Sequence, residues 1–289
     1  MQYIGDIVHL NGTLLPLAEA KISPLDRGFL FGDGVYEVVP VYSRRPFRLE
    51  QHLGRLQQSL DGIGLDNPHT GDGWRTIVNA LVTANPWDDQ GIYLQVTRGA
   101  DVKRDHPFPT VVTPTVFGMS MPLVMPAAEV RERGITAITA EDTRWSRCDL
   151  KTTSLLANVL LRQQSVDAEA GETILLRDGF LTEGSAASVL IVSQGVLVAP
   201  PPSRLILPGV TYDVVLELAI QHGVLLEVRP IAEEELRTAE EIWLLSSTKE
   251  VLAVTRLDDR PVGVGLPGPL GKQMWQWYQA YKNTVMRGD

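Results

Sequence analysis

The sequence predicts a mixed α/β (α+β) fold in two domains, on three observations. Both halves of the 289-residue chain interleave short apolar strand patterns with longer stretches of helical periodicity. The length suits two medium domains at roughly 100–200 residues each. A proline-bounded segment, Ser120-Met121-Pro122-Leu123-Val124-Met125-Pro126, breaks both patterns and reads as a crossover. The expected division is an α/β domain over residues 1–120, a linker over 121–126 and a second α/β domain over 127–289.

The elements follow in order. Ile7-Val8-His9-Leu10 and Thr13-Leu14-Leu15 flank Asn11-Gly12, a two-residue hairpin signal. Gly34 to Tyr42 is apolar on both alternating faces and reads as a buried strand. Pro40 inside it marks a bulge or an edge whose N–H side is free. Leu49, Leu53, Leu56, Leu60 and Ile63 recur at spacings of four and three, an amphipathic helix, and residues 70–84 form a second. Strands near 91–98 and 111–118 enclose a charged, proline-rich loop from Asp101 to Pro109. In the second half, strands are expected near 135–140, 172–177, 186–193, 224–228, 241–246 and 250–255. Helices are expected near 154–168, 210–222 and 267–284.

Composition narrows the function. An apolar fraction of 44% with 21% charged residues is that of a globular chain with a full core. A net charge of −9 argues against nucleic acid or an anionic membrane as partner. No apolar run approaches the ~18 residues of a membrane span, and the first residues lack a signal-peptide pattern. Cys148 is the only cysteine, which fits a reducing cytoplasm and rules out an internal disulfide or a thiolate zinc site. The five histidines show no ligand spacing, so no metal is expected.

Gly263-Val264-Gly265-Leu266-Pro267-Gly268 matches a dinucleotide fingerprint by letters but lies too near the C-terminus for a βαβ unit, and it reads as a turn-rich loop. Lysine is scarce, six against twenty arginines. Lys151 stands between an extended segment and a helix, where an amine can point into a cleft and act as a nucleophile; a solvated loop lysine is the plainer alternative. In Thr182-Glu183-Gly184-Ser185, small residues beside one acid suit the edge of a flat ligand, or simply a polar turn. Pro208-Gly209-Val210-Thr211 opens a helix, a place for an anion, and Ser246-Ser247-Thr248 ends a strand with hydroxyl donors. Each of these two is weak alone.

Taken together, these segments resemble the fold type IV pyridoxal-phosphate enzymes, and among them the bacterial D-amino-acid aminotransferases. The resemblance rests on the order and spacing of five blocks. These are Asp26-Arg27-Gly28-Phe29-Leu30-Phe31-Gly32-Asp33-Gly34-Val35-Tyr36-Glu37, Gln51-His52-Leu53-Gly54-Arg55-Leu56, Tyr93-Leu94-Gln95-Val96-Thr97-Arg98-Gly99, Trp145-Ser146-Arg147-Cys148-Asp149-Leu150-Lys151 and Thr182-Glu183-Gly184-Ser185. It implies that Lys151 carries pyridoxal 5'-phosphate as a Schiff base, in a cleft between the domains, and that Glu183 pairs with the pyridine nitrogen. It implies a phosphate site of Arg55, Val210, Thr211, Ser246 and Ser247, with Leu207 packed on the ring. Helical spacing alone turns Arg55 away from the leucine stripe, toward a solvated face.

The same resemblance implies a substrate-carboxylate clamp of Tyr36, Arg104 and His106, with the Arg104-Asp105-His106 loop serving the partner subunit of a homodimer. Its small-molecule partners are then amino acids and 2-oxo acids, and its expected reaction is transamination of a D-amino acid such as D-alanine. Branched-chain L-amino-acid and (R)-amine transaminases and aminodeoxychorismate lyases share the fold and are the alternatives. Two departures bear on substrate range: the 99–104 loop is one residue longer, and Ala186 and Ala187 stand where serines are common.

Overall fold

A computed structural model describes residues 4–287. Two compact units account for them. The first takes the described residues up to Leu123, Leu150–Leu155, and Met286 with Arg287; the second takes Val124–Asp149 and Leu156–Val285. The passage between units at Leu123 and Val124 falls within the proline-bounded segment. The second unit is not contiguous, because Leu150–Leu155, which carries Lys151, packs with the first.

The first unit is built on a six-stranded antiparallel sheet. Its strands are β1 (Ile7–Leu10), β2 (Thr13–Pro16), β3 (Gly34–Tyr42), β4 (Arg45–Pro46), β5 (Gln90–Thr97) and β6 (Thr115–Pro122), in the order β2-β1-β6-β5-β3-β4. The β1–β2 turn has Asn11 at φ 48° and Gly12 at φ 91°, the left-handed pair that a tight hairpin needs. Helix α1 (Arg27–Phe31) precedes β3, and α2 (Leu49–Gly62) and α3 (Gly71–Ala84) follow it. Leu53, Leu56 and Leu60 of α2 and Trp74, Val78 and Leu81 of α3 close a core over Val35, Val39, Ile92, Leu94 and Val96. Strand β6 begins four residues later than its expected start. Pro114 cannot donate to a ladder, whereas Thr115 to Pro122 pair without a break with Thr97 to Gln90.

Pro40 introduces no bulge: β3 and β5 stay in register from Gly34↔Thr97 to Val41↔Gln90. The N–H of Tyr36, on the same side of the strand as the Pro40 nitrogen, bonds away from β5, to the Lys151 carbonyl at 2.9 Å. The two-residue β4 covers only the end of this edge. The rest receives the Lys151 segment, through a Val35↔Thr152 bridge and a 3.0 Å bond from the Thr153 N–H to the Gly34 carbonyl.

The second unit holds a nine-stranded mixed sheet. Its strands are β7 (Ile135–Glu141), β8 (Glu172–Arg177), β9 (Phe180–Gly184), β10 (Ser188–Ser193), β11 (Val196–Ala199), β12 (Leu226–Val228), β13 (Glu241–Ser246), β14 (Glu250–Leu257) and β15 (Arg260–Pro261). The order is β12-β11-β10-β13-β14-β7-β8-β9, with β15 paired to β14. Ladders β11–β12, β14–β7 and β7–β8 are parallel and the rest antiparallel. Helices α4 (Ala128–Arg133), α5 (Leu156–Asp167), α6 (Val210–Gln221), α7 (Glu233–Thr238) and α8 (Pro269–Tyr281) accompany it. Ile174, Val189, Ile191, Ile242, Leu244 and Val254 form its core.

Candidate active site

Alternation along β3 puts Tyr36 and Glu37 on opposite faces. Tyr36 stacks on Tyr93 of β5, with ring centroids 5.5 Å apart, and the Lys151 Nζ lies 4.1 Å from the Tyr36 ring centroid. Burial beside Tyr36 pushes the Tyr93 phenol up to about 12. The Lys151 backbone is anchored at both ends: its N–H donates to the Ser59 Oγ at 3.1 Å, and its carbonyl accepts from Tyr36. A side chain fixed at its root in this way swings over a small volume, which suits a nucleophile.

Glu37 faces the core side, fully buried, where α2 presents His52 and Arg55. Arg55 donates from Nε to Oε2 at 2.9 Å and from Nη2 to Oε1 at 2.6 Å, and His52 Nδ1 lies 3.0 Å from Oε1. Burial alone would raise the Glu37 carboxyl. The Arg55 charge and the hydrogen bonds from His52 and Arg55 outweigh it and hold the group well below the usual carboxylate range. Burial pushes the His52 imidazole down against the pull of Glu37, so the ring is neutral. A carboxylate only accepts, so Nδ1 carries the proton, and Nε2 is left a buried acceptor with no hydrogen-bond partner among the described residues. Arg55 is therefore on a buried face of α2, not a solvated one: His52, Arg55 and Ser59 run at helical spacing beside the leucine stripe.

In the second unit, Glu183 near the end of β9 is buried between two donors. Its Oε1 accepts from the Arg144 Nη1, and its Oε2 accepts from the Leu207 N–H at 3.1 Å. Arg144 also forks onto Asp142, with Nε to Oδ1 and Nη2 to Oδ2 both at 2.9 Å. The Thr182 hydroxyl (2.9 Å) and Arg177 (3.1 Å) complete the Asp142 shell. Burial pushes the Glu183 carboxyl above its ordinary value, while the Arg144 charge and hydrogen bond and the Leu207 N–H oppose it. Burial would raise Asp142 too, but its bonds to Arg144 and Thr182 hold it low.

Gly209 precedes α6 and, among the described residues, no side chain caps it, so its first-turn N–H groups, those of Val210 and Thr211 among them, point out of the helix. A Cβ at Gly209 would sit 2.9 Å from the Ser188 Oγ. Ser246 ends β13 and Ser247 follows it, both half-buried, and the Lys249 N–H donates to the Ser246 Oγ at 3.1 Å. In the first unit, Arg104 and His106 lie on an exposed loop against one ring: the Arg104 guanidinium is 5.2 Å and the His106 ring 5.5 Å from the centroid of Phe31.

Residues 34–257 match the family model described as amino-transferase class IV. The chain belongs to the class IV aminotransferases. It is 40% identical, over 96% of its length and 97% of the relative's, to the D-alanine aminotransferase of Bacillus licheniformis. The branched-chain aminotransferase of the thermophilic archaeon Thermoproteus uzoniensis, with norvaline, matches its fold at a TM-score of 0.85, with 26% identity over 98% of this chain and 95% of that one. A PLP-bound hypothetical aminotransferase from Mycobacterium tuberculosis matches at 0.83, with 26% identity over 95% and 98%.

The enzyme is a pyridoxal-phosphate-dependent transaminase acting on amino and 2-oxo acids, and its residues fit that cofactor chemically. The first unit offers a rooted lysine amine and a guanidinium; the second offers an uncapped helix start, hydroxyls, and a buried carboxylate beside a backbone N–H. Among the described residues no helix is long and apolar enough to cross a membrane. Reading the sequence missed Arg144 and Asp142, which hold Glu183, and the His52 partner of Glu37. A cue for Glu37 was present, an acid on an otherwise apolar strand; Arg144 and Asp142 sit in an irregular stretch that carries no periodic signal.

Proposed function

We propose that this aminotransferase moves the amino group of a D-amino acid, such as D-alanine, to a 2-oxo acid, such as 2-oxoglutarate, giving pyruvate and D-glutamate. The placing of Arg104 and His106 against one ring carries the reading: a guanidinium and an imidazole on one loop, both near Phe31, suit an α-carboxylate. The name of the 40% identical relative agrees with it. The fold match to a branched-chain enzyme favours the second reading, an L-amino-acid substrate.

The cofactor, when bound, supplies an aldehyde that takes up the substrate amine and a ring that accepts the electron pair left at Cα. The residues do the rest. Lys151 would hold the cofactor between turnovers, and its Nζ would take the Cα proton and deliver it to the cofactor's former aldehyde carbon, as general base and then general acid. Glu183, paired with Arg144, would hold a proton on the ring nitrogen. Arg55, the Val210 and Thr211 N–H groups and the Ser246 and Ser247 hydroxyls bind the phosphate, and Leu207 packs on the ring. Tyr36, Arg104 and His106 orient the carboxylate and so decide which Cα hydrogen faces Lys151.

A homodimer is part of this reading. Phe29, Phe108 and Val111 of the first unit are exposed, as are Leu156, Val159 and Leu160 on one face of α5, apolar side chains that a second copy would cover. A cytoplasmic setting is also part of it, supported by the single unpaired Cys148. An absorbance titration of the loaded enzyme tests the substrate. D-alanine bleaches the cofactor's visible band and L-leucine does not, and Lys151→Met removes the response. Bleaching by L-leucine alone refutes the D-amino-acid reading.

A further inference from the structure

Two buried arginines of the first unit, and the half-buried Asp33 between them, lie beside the loop that carries Arg104 and His106. Arg27, at the start of α1, donates from Nε to the Asp33 Oδ2 at 2.8 Å. Its other two nitrogens leave the cluster and grip the loop backbone, Nη1 on the Asp105 carbonyl at 2.6 Å and Nη2 on the His106 carbonyl at 3.0 Å. Asp33 is shared with Arg98, whose Nε lies 2.9 Å from the same Oδ2. Arg98 fixes itself on the Ile63 and Gly64 carbonyls, at 2.7 and 3.0 Å, and stacks 3.6 Å from the centroid of Phe108. Arg27 and Arg98 are 3% and 2% exposed, while Arg104, Asp105 and His106 are all exposed.

That contrast between buried cations and an exposed loop calls for a cause. Taking two guanidinium groups out of water is costly, and apolar side chains of similar volume would do as well for stability. Carbonyls of an exposed loop need no protein donor, because water satisfies them. An arginine fork spent on two such carbonyls therefore does little for the core. It fixes the course of the loop, and the two gripped residues include one of the proposed carboxylate ligands. Lysine could not do this, since one ammonium cannot reach Asp33 and two carbonyls in a planar fork.

We infer that Arg27, held by Asp33 and Arg98, is a positioning residue for the substrate carboxylate: it pins the loop so that Arg104 and His106 are presented together beside Phe31. This rests on the reading of Arg104 and His106 as carboxylate ligands, and the test separates the two. The cofactor-loaded wild type is compared with Arg27→Lys, Asp33→Asn and Arg104→Ala, in initial rates with D-alanine and in amide hydrogen exchange over the loop.

Arg27→Lys is expected to raise KM for D-alanine about tenfold with kcat within about twofold, the signature of lost carboxylate binding. Exchange over 103–108 becomes faster in the same variant. Asp33→Asn moves both readouts the same way by less, and it carries the test if Arg27→Lys does not fold. A KM within about twofold of wild type in both variants, while Arg104→Ala raises it, overturns the positioning role and leaves the clamp standing. A lowered melting temperature with unchanged KM marks a purely structural role and overturns it equally. An unchanged KM in Arg104→Ala overturns the clamp, and the inference with it.

Discussion

Replacing Arg144 by leucine tests the electrostatics around Glu183 directly. The substitution removes both ion pairs, with Glu183 and with Asp142, and leaves the two acids unequally provided for. Asp142 keeps Arg177 at 3.1 Å and the Thr182 hydroxyl at 2.9 Å, whereas Glu183 keeps the Leu207 N–H at 3.1 Å. Breaking a buried pair costs about 3–5 kcal/mol, and the partners left to Asp142 place this case near the lower end, about 3 kcal/mol. At ~2–4 °C per kcal/mol, melting of the loaded enzyme falls by about 6–12 °C. The pH dependence identifies the cause. Burial already raises the Glu183 carboxyl, and without Arg144 it rises further. A carboxyl raised above its unfolded value of about 4.3 binds more protons folded than unfolded, so it costs stability as pH rises through that window. The deficit of the variant is therefore smaller at about pH 5.5 than at about pH 8.5. Adding Glu183→Gln removes the stranded charge and restores part of the melting temperature. Thermal melts followed by circular dichroism at the two pH values read all three effects. A deficit that is independent of pH, with no recovery in the double variant, refutes the reasoning.

Two further outcomes follow from the first unit. Glu37→Gln strands the Arg55 charge and costs about 3–5 kcal/mol in urea unfolding at neutral pH. Because the Glu37 carboxyl is held low, its contribution is present above the unfolded value of about 4.3 and lost as pH falls below it, so the difference from wild type shrinks on acidification. Gly99 sits at φ +81°, and a Cβ there would lie 1.9 Å from the Thr113 carbonyl oxygen. Gly99→Ala therefore costs about 2 kcal/mol or more and opens the 100–113 loop to limited proteolysis, which is compared with wild type at equal enzyme loading.

What could be read in the sequence was local and periodic. The leucine spacing of α2 and the Asn11-Gly12 hairpin needed only neighbours in the chain, and both stand where they were expected. Strand β9, strand β11 and helices α4 and α7 were missed, because four to six residues hold too little of a period to stand out. Arg55 shows the limit more sharply. Its spacing from the leucines pointed to water, but a helix against a sheet buries a stripe wider than one row of leucines, and Glu37 opposite makes burial of a cation tolerable. Arg27 could not be read at all, since its partners are the backbone of residues 78 and 79 positions away.

The scarcity of lysine acquires a meaning from these contacts. Arg27, Arg55, Arg98 and Arg144 are the buried cations next to the proposed ligands, and each divides its nitrogens between partners or forks onto a carboxylate. Lys249 and Lys282 are each tied to an acid, Glu172 at 3.1 Å and Glu250 at 2.6 Å. Among the described residues Lys151 has no carboxylate partner; its ammonium faces the Tyr36 ring. Guanidinium groups stay charged and make rigid struts, which is what positioning requires. An amine that must attack a carbonyl and shuttle a proton cannot be locked in an ion pair. The division of labour between these four arginines and Lys151 at the proposed site follows from that chemistry.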